Sequence, residues 1–171
     1  MPYIYKKLKD NKEITKNLDF PFFNSKKCKN HIALIGVGGN IGDSKRRFKR
    51  LLELLKREKK VKVIATSIIF KNPPFGFLEQ DFFYNTLFLL ETKLTPKELL
   101  RYLQNIEKRF RRNRLFKNAP RTLDLDIIFY DKRVCKKSQK LLIPHPYWQE
   151  RESVLIPLKF LKGNRCLQRV L

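Results

Sequence analysis

Acidic residues are scarce in this sequence: 16 Asp+Glu stand against 39 Lys+Arg, a formal net charge of +23. So one-sided a balance favours polyanionic partners, whether phosphorylated ligands, nucleic acid or an anionic membrane surface, and does not choose among them. Cysteine is sparse too. Cys28, Cys135 and Cys166 are odd in number and far apart, no C-x-x-C occurs, and with two His they cannot complete a Cys/His zinc site. Such thiols are expected to stay reduced. No apolar run approaches the roughly eighteen residues of a membrane span. The opening stretch MPYIYKKLKDNKEITKNLDF lacks the apolar core of a secretory signal. A cytoplasmic protein without membrane association is the expectation.

What is present is enough apolar material for one core. Hydrophobic residues make up 42% of the 171, with 14 Phe, which excludes a disordered chain despite 32% charged residues. Residues 1–30 carry eight Lys against Asp10, Glu13 and Asp19 without sustained periodicity. They are expected to form a basic N-terminal extension, with 31–171 as a single domain. From His31 the pattern sharpens. The run HIALIGV leads into Gly38-Gly39-Asn40-Ile41-Gly42-Asp43, and Ser44 can cap a helix with Phe48, Leu51, Leu52 and Leu55 on one face. Val61–Phe70 and Phe82–Glu91 read as strands around a Pro-rich loop, and Thr95-Pro96-Lys97-Glu98 is a capping box that starts a second helix. Leu123–Tyr130 closes a β-α-β-β-α-β order, so the expected fold is α+β and ferredoxin-like, an antiparallel sheet with helices packed on it and C-terminal additions.

The glycine-rich turn fails as G-x-G-x-x-G, with Ile41 in the third glycine's place, and fails as a P-loop, with Asp43-Ser44 replacing Lys-Ser/Thr. A tight strand-to-helix turn explains its glycines. Asp124 and Asp126 say more. Residues i and i+2 of a strand share a face, so both carboxylates point one way while Leu123, Leu125 and Ile127 point the other. Two like charges in an otherwise apolar strand need cations, and Mg²⁺, which prefers carboxylate and water oxygens and bridges phosphates, answers that need. Seven cations and no acid run from Lys108 to Arg121 directly before this pair. Guanidiniums that grip phosphate beside carboxylates that hold Mg²⁺ are recurring parts of phosphoryl transfer. His145, between two prolines, could donate to a phosphate, and Asn85 is a polar amide in apolar company that a heterocycle would satisfy.

In order along the chain, Gly38–Asp43, Asn72-Pro73-Pro74-Phe75-Gly76, Phe83-Tyr84-Asn85, Gln104-x-x-Glu107, Pro120–Ile128 and Pro144-His145 resemble the 6-hydroxymethyl-7,8-dihydropterin pyrophosphokinases of folate biosynthesis. The resemblance covers about Ile32 to Leu158. It implies transfer of pyrophosphate from ATP to the hydroxymethyl oxygen of the dihydropterin, with AMP released. It implies two Mg²⁺ ions at Asp124 and Asp126, and Arg112, Arg121 and His145 facing phosphates with Arg151 nearby. Arg112, Arg121, Asp124 and Asp126 would be the catalytic set. Gln104, Glu107 and Ile127 would lie on the nucleotide side. Asn85 would read the pterin edge, with Asn72, Pro73, Pro74, Phe75 and Phe83 around it. Asn72 and Phe83 stand where the family often has Thr and Tyr. Ser153 falls where a second stacking aromatic is usual, leaving Trp148 or Tyr147 to replace it. The competing class is a basic ferredoxin-like RNA-binding module without catalysis, which lacks its aromatic signature here. The chain is expected to act as a monomer, with no specific nucleic acid as partner.

Overall fold

The computed structural model describes residues 3–24, 28–74, 79–112, 119–138 and 141–171. Along the chain they form β1 (Tyr3–Lys7), β2 (Glu13–Lys16), β3 (Phe22–Phe23), β4 (His31–Gly39), α1 (Ser44–Arg57), β5 (Val61–Thr66) and β6 (Ile69–Asn72). There follow β7 (Phe83–Thr92), α2 (Pro96–Arg109), β8 (Asp124–Tyr130), β9 (Cys135–Ser138), β10 (Leu141–Ile143) and α3 (Glu152–Lys159). Helix starts follow local chemistry. The Thr95–Glu98 capping box forms in full ahead of α2. At α1 the cap is Asp43 rather than the expected Ser44, its carboxylate accepting the Arg46 N–H at 2.9 Å; Ser44 is the first helical residue. The fuller negative charge of a carboxylate suits the positive end of the helix.

β4 is central, antiparallel to β7 on one side and to β8 on the other, and β5 and β6 both pair with β7. This is the expected α+β arrangement. The single strand expected over Val61–Phe70 breaks at Ser67, whose hydroxyl accepts the Leu87 N–H at 2.8 Å, so both halves hold on to β7. Phe48, Leu51, Leu52 and Leu55 of α1 and Leu99, Leu103 and Ile106 of α2 pack on one sheet face with Val37, Phe88, Leu125 and Ile127. The other face, with Ile32, Leu34, Leu87, Leu89 and Ile128, is covered by Val154 and Leu158 of α3 and by Leu161 and Leu167 beyond it.

Two expectations need correction. Residues before His31 are not merely an extension: β2 pairs with β6, β3 pairs with β5, and Phe20 is fully buried against Phe88. These strands, of four and two residues, are too short for their buried positions to register as a periodicity. The cysteines are not all free either. Cys28 and Cys166 form a disulfide across 138 residues, tying the segment before β4 to the C-terminal turn, while Cys135 is free. Spacing alone cannot show such a pair, because only the packed chain brings its ends together. Closing so long a loop should stabilise by about 2–4 kcal/mol. Cys166→Ser is therefore expected to lower the unfolding midpoint by roughly 5–15 °C without reductant. A midpoint equal to wild type under those conditions would count against the cross-link.

Candidate active site

The alternation along β8 sends Leu125 and Ile127 into the helix-side core and leaves Asp124 and Asp126 on the opposite face. Across from them β4 offers glycine. Gly38 lies between Asn85 of β7 and Asp124 of β8, and Gly36 between Leu87 and Asp126. A Cβ on Gly38 would come within 3.0 Å of Asn85 Oδ1 and 4.0 Å of Asp124 Cβ. The missing side chain thus leaves a floor with an amide on one side and a carboxylate on the other. Leu87, Leu89 and Ile128 on the same face pack against α3, so this floor is the part that α3 leaves uncovered.

A dense ionic cluster surrounds the carboxylates. Arg121 Nη1 donates to Asp124 Oδ2 at 2.7 Å, and Arg112 Nη2 lies 2.7 Å from Asp124 Oδ1. Arg112 also pairs with Glu107, whose carboxylate accepts the Leu125 N–H at 2.7 Å. Burial raises the pKa of Glu107 although Arg112 and Leu125 oppose the rise. Among the described residues, cations within 4.0 Å go to Asp124 and none to Asp126. Burial, then the charges of Asp124 and Glu107, push the Asp126 carboxyl up to about 7. The Nε–H groups of Arg112 and Arg121 are buried without a hydrogen-bond partner among the described residues. Two unpaired guanidinium donors beside an under-neutralised carboxylate leave both charges to be completed by something that binds.

Asn85 donates through Nδ2 to Asn72 Oδ1 at 2.6 Å, and Asn72 donates to the Pro73 carbonyl at 2.8 Å. Pro73 and Pro74 are half-buried beside them and Phe83 is almost fully buried; Phe75 lies outside the described residues, as do Arg114 and Lys117 of the basic run. The Arg121 guanidinium stacks 5.1 Å from the centre of the Phe83 ring, joining the two halves of the site. His145 Nδ1 lies 2.6 Å from the Pro146 carbonyl, so that nitrogen carries the proton, and the expected donation to a phosphate from Nε2 requires the ring to be protonated. Burial and Arg151 lower the His145 pKa. Arg151 itself is exposed and acts electrostatically on both His145 and Asp126. Gln104 is half-buried on α2, one turn before Glu107. The Ile127 side chain lies in the helix-side core, on the face opposite Asp124 and Asp126. Of the aromatics near Ser153, Trp148 packs edge-on against Phe129 at 4.8 Å, whereas Tyr147 is 69% exposed.

Residue patterns alone did not single out Arg47, although it braces the site. Its Nη1 donates to the carbonyls of Ile41 and Thr122 at 2.8 and 3.1 Å, fastening the glycine-rich turn to the segment that leads into Asp124. Gly39 makes that approach possible, since a Cβ there would stand 2.5 Å from the Thr122 oxygen. Among the described residues no helix is long and apolar enough to cross a membrane.

Comparison with known proteins agrees with this geometry. The 7,8-dihydro-6-hydroxymethylpterin-pyrophosphokinase family model matches residues 34–163. A 2-amino-4-hydroxy-6-hydroxymethyldihydropteridine pyrophosphokinase of Campylobacter jejuni is 40% identical over 153 residues, 89% of this chain and 97% of that one. Proteins of the same name from Helicobacter pylori and Bacillus subtilis are 39% and 38% identical, covering 73% and 75% of this chain and 77% of each of theirs. No such support attaches to the RNA-binding alternative. The chain therefore belongs to the 7,8-dihydro-6-hydroxymethylpterin-pyrophosphokinase family.

Proposed function

We propose that this chain transfers the terminal pyrophosphoryl group of ATP to the hydroxymethyl oxygen of 6-hydroxymethyl-7,8-dihydropterin on the floor formed by Asn85, Gly38 and Asp124. The observation that carries the reading is that row itself. Across three adjacent strands it sets a heterocycle-reading amide and a phosphate-side carboxylate on the two sides of Gly38, which puts no side chain between them. The pterin edge bonds to Asn85, and Phe83 lines the apolar slot. The triphosphate lies over β8, where the unpaired Nε–H groups of Arg112 and Arg121 face it. The pterin oxygen attacks the β-phosphorus, the bond to the α–β bridging oxygen breaks, AMP leaves, and the hydroxyl proton is lost.

Asp124 and Asp126 suit a hard divalent cation. They offer carboxylate oxygens on one face, and no third His, Cys, Asp or Glu among the described residues joins them as a ligand cluster. Phosphate and water would supply the other positions, as Mg²⁺ prefers. Two such ions, when bound, would neutralise the triphosphate and hold it in line with the attacking oxygen. Arg112 and Arg121 have a second task. Moving from Asp124 to the phosphates, they free that carboxylate for metal and add their charge where negative charge builds up.

The test mixes the chain with ATP, Mg²⁺ and 6-hydroxymethyl-7,8-dihydropterin. AMP should form in step with pterin consumed, and none should form without pterin. Formation of ADP in place of AMP would refute the reading. Asn85→Ala should weaken pterin binding by a factor on the order of 10–100, because the polar edge of the ligand loses its partner. Calorimetric titration should show ATP affinity within about twofold of wild type, given that one tenfold change is about 1.4 kcal/mol. Loss of ATP affinity instead would move the pterin site elsewhere.

A further inference from the structure

The glycine-rich turn between β4 and α1 has no task in the chemistry above, yet one of its two polar side chains is buried. Asn40 is 4% exposed. Its Oδ1 accepts the Arg121 N–H at 2.8 Å, and its Nδ2 donates to Gln80 Oε1 at 2.9 Å and to the Asp81 carbonyl at 3.2 Å. The backbone adds to the grip, with the Asn40 and Ile41 N–H groups both directed at the Arg121 carbonyl, at 3.0 and 3.3 Å. The three segments that meet here otherwise part around a cavity of about 490 Å³ lined by Asn40, Ile41, Gly42, Glu79, Gln80, Asp81 and Pro120.

We propose that Asn40 is a positioning residue that couples the two halves of the site, holding the Arg121 backbone with its carbonyl and the Gln80–Asp81 segment with its amide. Arg121 belongs to the phosphate side. Gln80 and Asp81 lead into Phe83 and Asn85 on the pterin side. Asn carries an acceptor and a donor at the two ends of one planar group, which this position requires and which neither Asp nor Leu provides. Buried as it is, the group cannot exchange either partner for water without loss. With the Arg121 peptide pinned by Asn40, and with Arg47 and Gly39 securing the next residue, the arginine side chain can change partners while its backbone stays in place.

Two near-isosteric variants separate the arms. Asn40→Asp keeps the acceptor for the Arg121 N–H and replaces the donor with an oxygen facing the Asp81 carbonyl. It should raise KM for the pterin at least about fivefold, with kcat within about twofold of wild type, since the loss falls on binding alone. Asn40→Ala removes both arms and should also lower kcat at least about tenfold. The role rests on the reaction proposed above, so hydrogen exchange of the free protein supplies a readout that needs no turnover. Exchange should quicken over residues 119–123 in Asn40→Ala but not in Asn40→Asp, and over residues 79–83 in both. A chain that makes no AMP overturns the proposed reaction, and the exchange pattern still decides the coupling. Wild-type kinetics in both variants, equal loss of kcat in both, or unchanged exchange over either segment would overturn the role of Asn40.

Discussion

Asp126→Asn is expected to lower turnover by a factor on the order of 10³ or more, comparable with losing a preorganised charge contact at the reacting group, and yet to make the free protein more stable at alkaline pH. The sign follows from linkage. In the unfolded chain this carboxyl titrates near its ordinary value of 3.8, and in the folded protein burial and the neighbouring acids hold it up to about 7. Between those values the folded state keeps a proton that the unfolded state has lost, so stability falls as pH rises, and the full penalty stands above about 7. Asparagine cannot ionise and escapes it. The midpoint gain in metal-free buffer should therefore be larger at pH 8 than at pH 5. Asp124→Asn should also abolish turnover but should cost stability, because Arg112 and Arg121 would lose the carboxylate that pairs them. Activity within about threefold of wild type in either variant, well under one tenfold step in barrier, would remove the metal assignment. A pH-independent midpoint difference for Asp126→Asn would remove the electrostatic argument.

Arg112→Ala and Arg121→Ala should each lower kcat by about 10²-fold or more while changing the equilibrium affinity for ATP with Mg²⁺ far less. Both guanidiniums rest on Asp124 in the free protein, so a shift to the phosphates gains most when charge develops during transfer. Their stability costs should differ. Arg112 is nearly buried, at 7% side-chain exposure, and its removal strands both Glu107 and one side of Asp124. Breaking a buried pair of this kind costs roughly 3–5 kcal/mol. Arg121, at 23%, leaves only Asp124 behind, and Arg112 remains to serve it. Single-turnover rates, ATP titrations and unfolding midpoints for the two variants separate these effects. Weakened ATP binding at an unchanged single-turnover rate would make both arginines static binding residues.

Much of this site could be read locally. The capping box at Thr95, the i, i+2 aspartates and the apolar alternation of β8 are decided by neighbours a few residues away, and the structure has them in place. Their shared face followed from strand geometry before any partner was known. What Asp124 and Asp126 differ in did not follow. Among the described residues one is held by two arginines and the other by none within 4.0 Å, a difference created by α2, by the residues after it and by the segment before β8. Glu107 reads as a surface polar on a helix face, and its burial against Arg112 and the Leu125 N–H appears only once β8 is the last strand on its side of the sheet.

The sequence by itself determined the α+β order, the capped start of α2 and the pair of carboxylates on one strand face, because each depends on spacing over a turn or a pleat. Only the tertiary structure decided that residues before His31 would lie beside β5 and β6, that Cys28 would meet Cys166, and that Gly39 would have to leave room for the Thr122 oxygen. The physical reason is range. Those contacts join residues tens to more than a hundred positions apart, and their geometry is set by how the layers pack rather than by the residues alongside them in the chain.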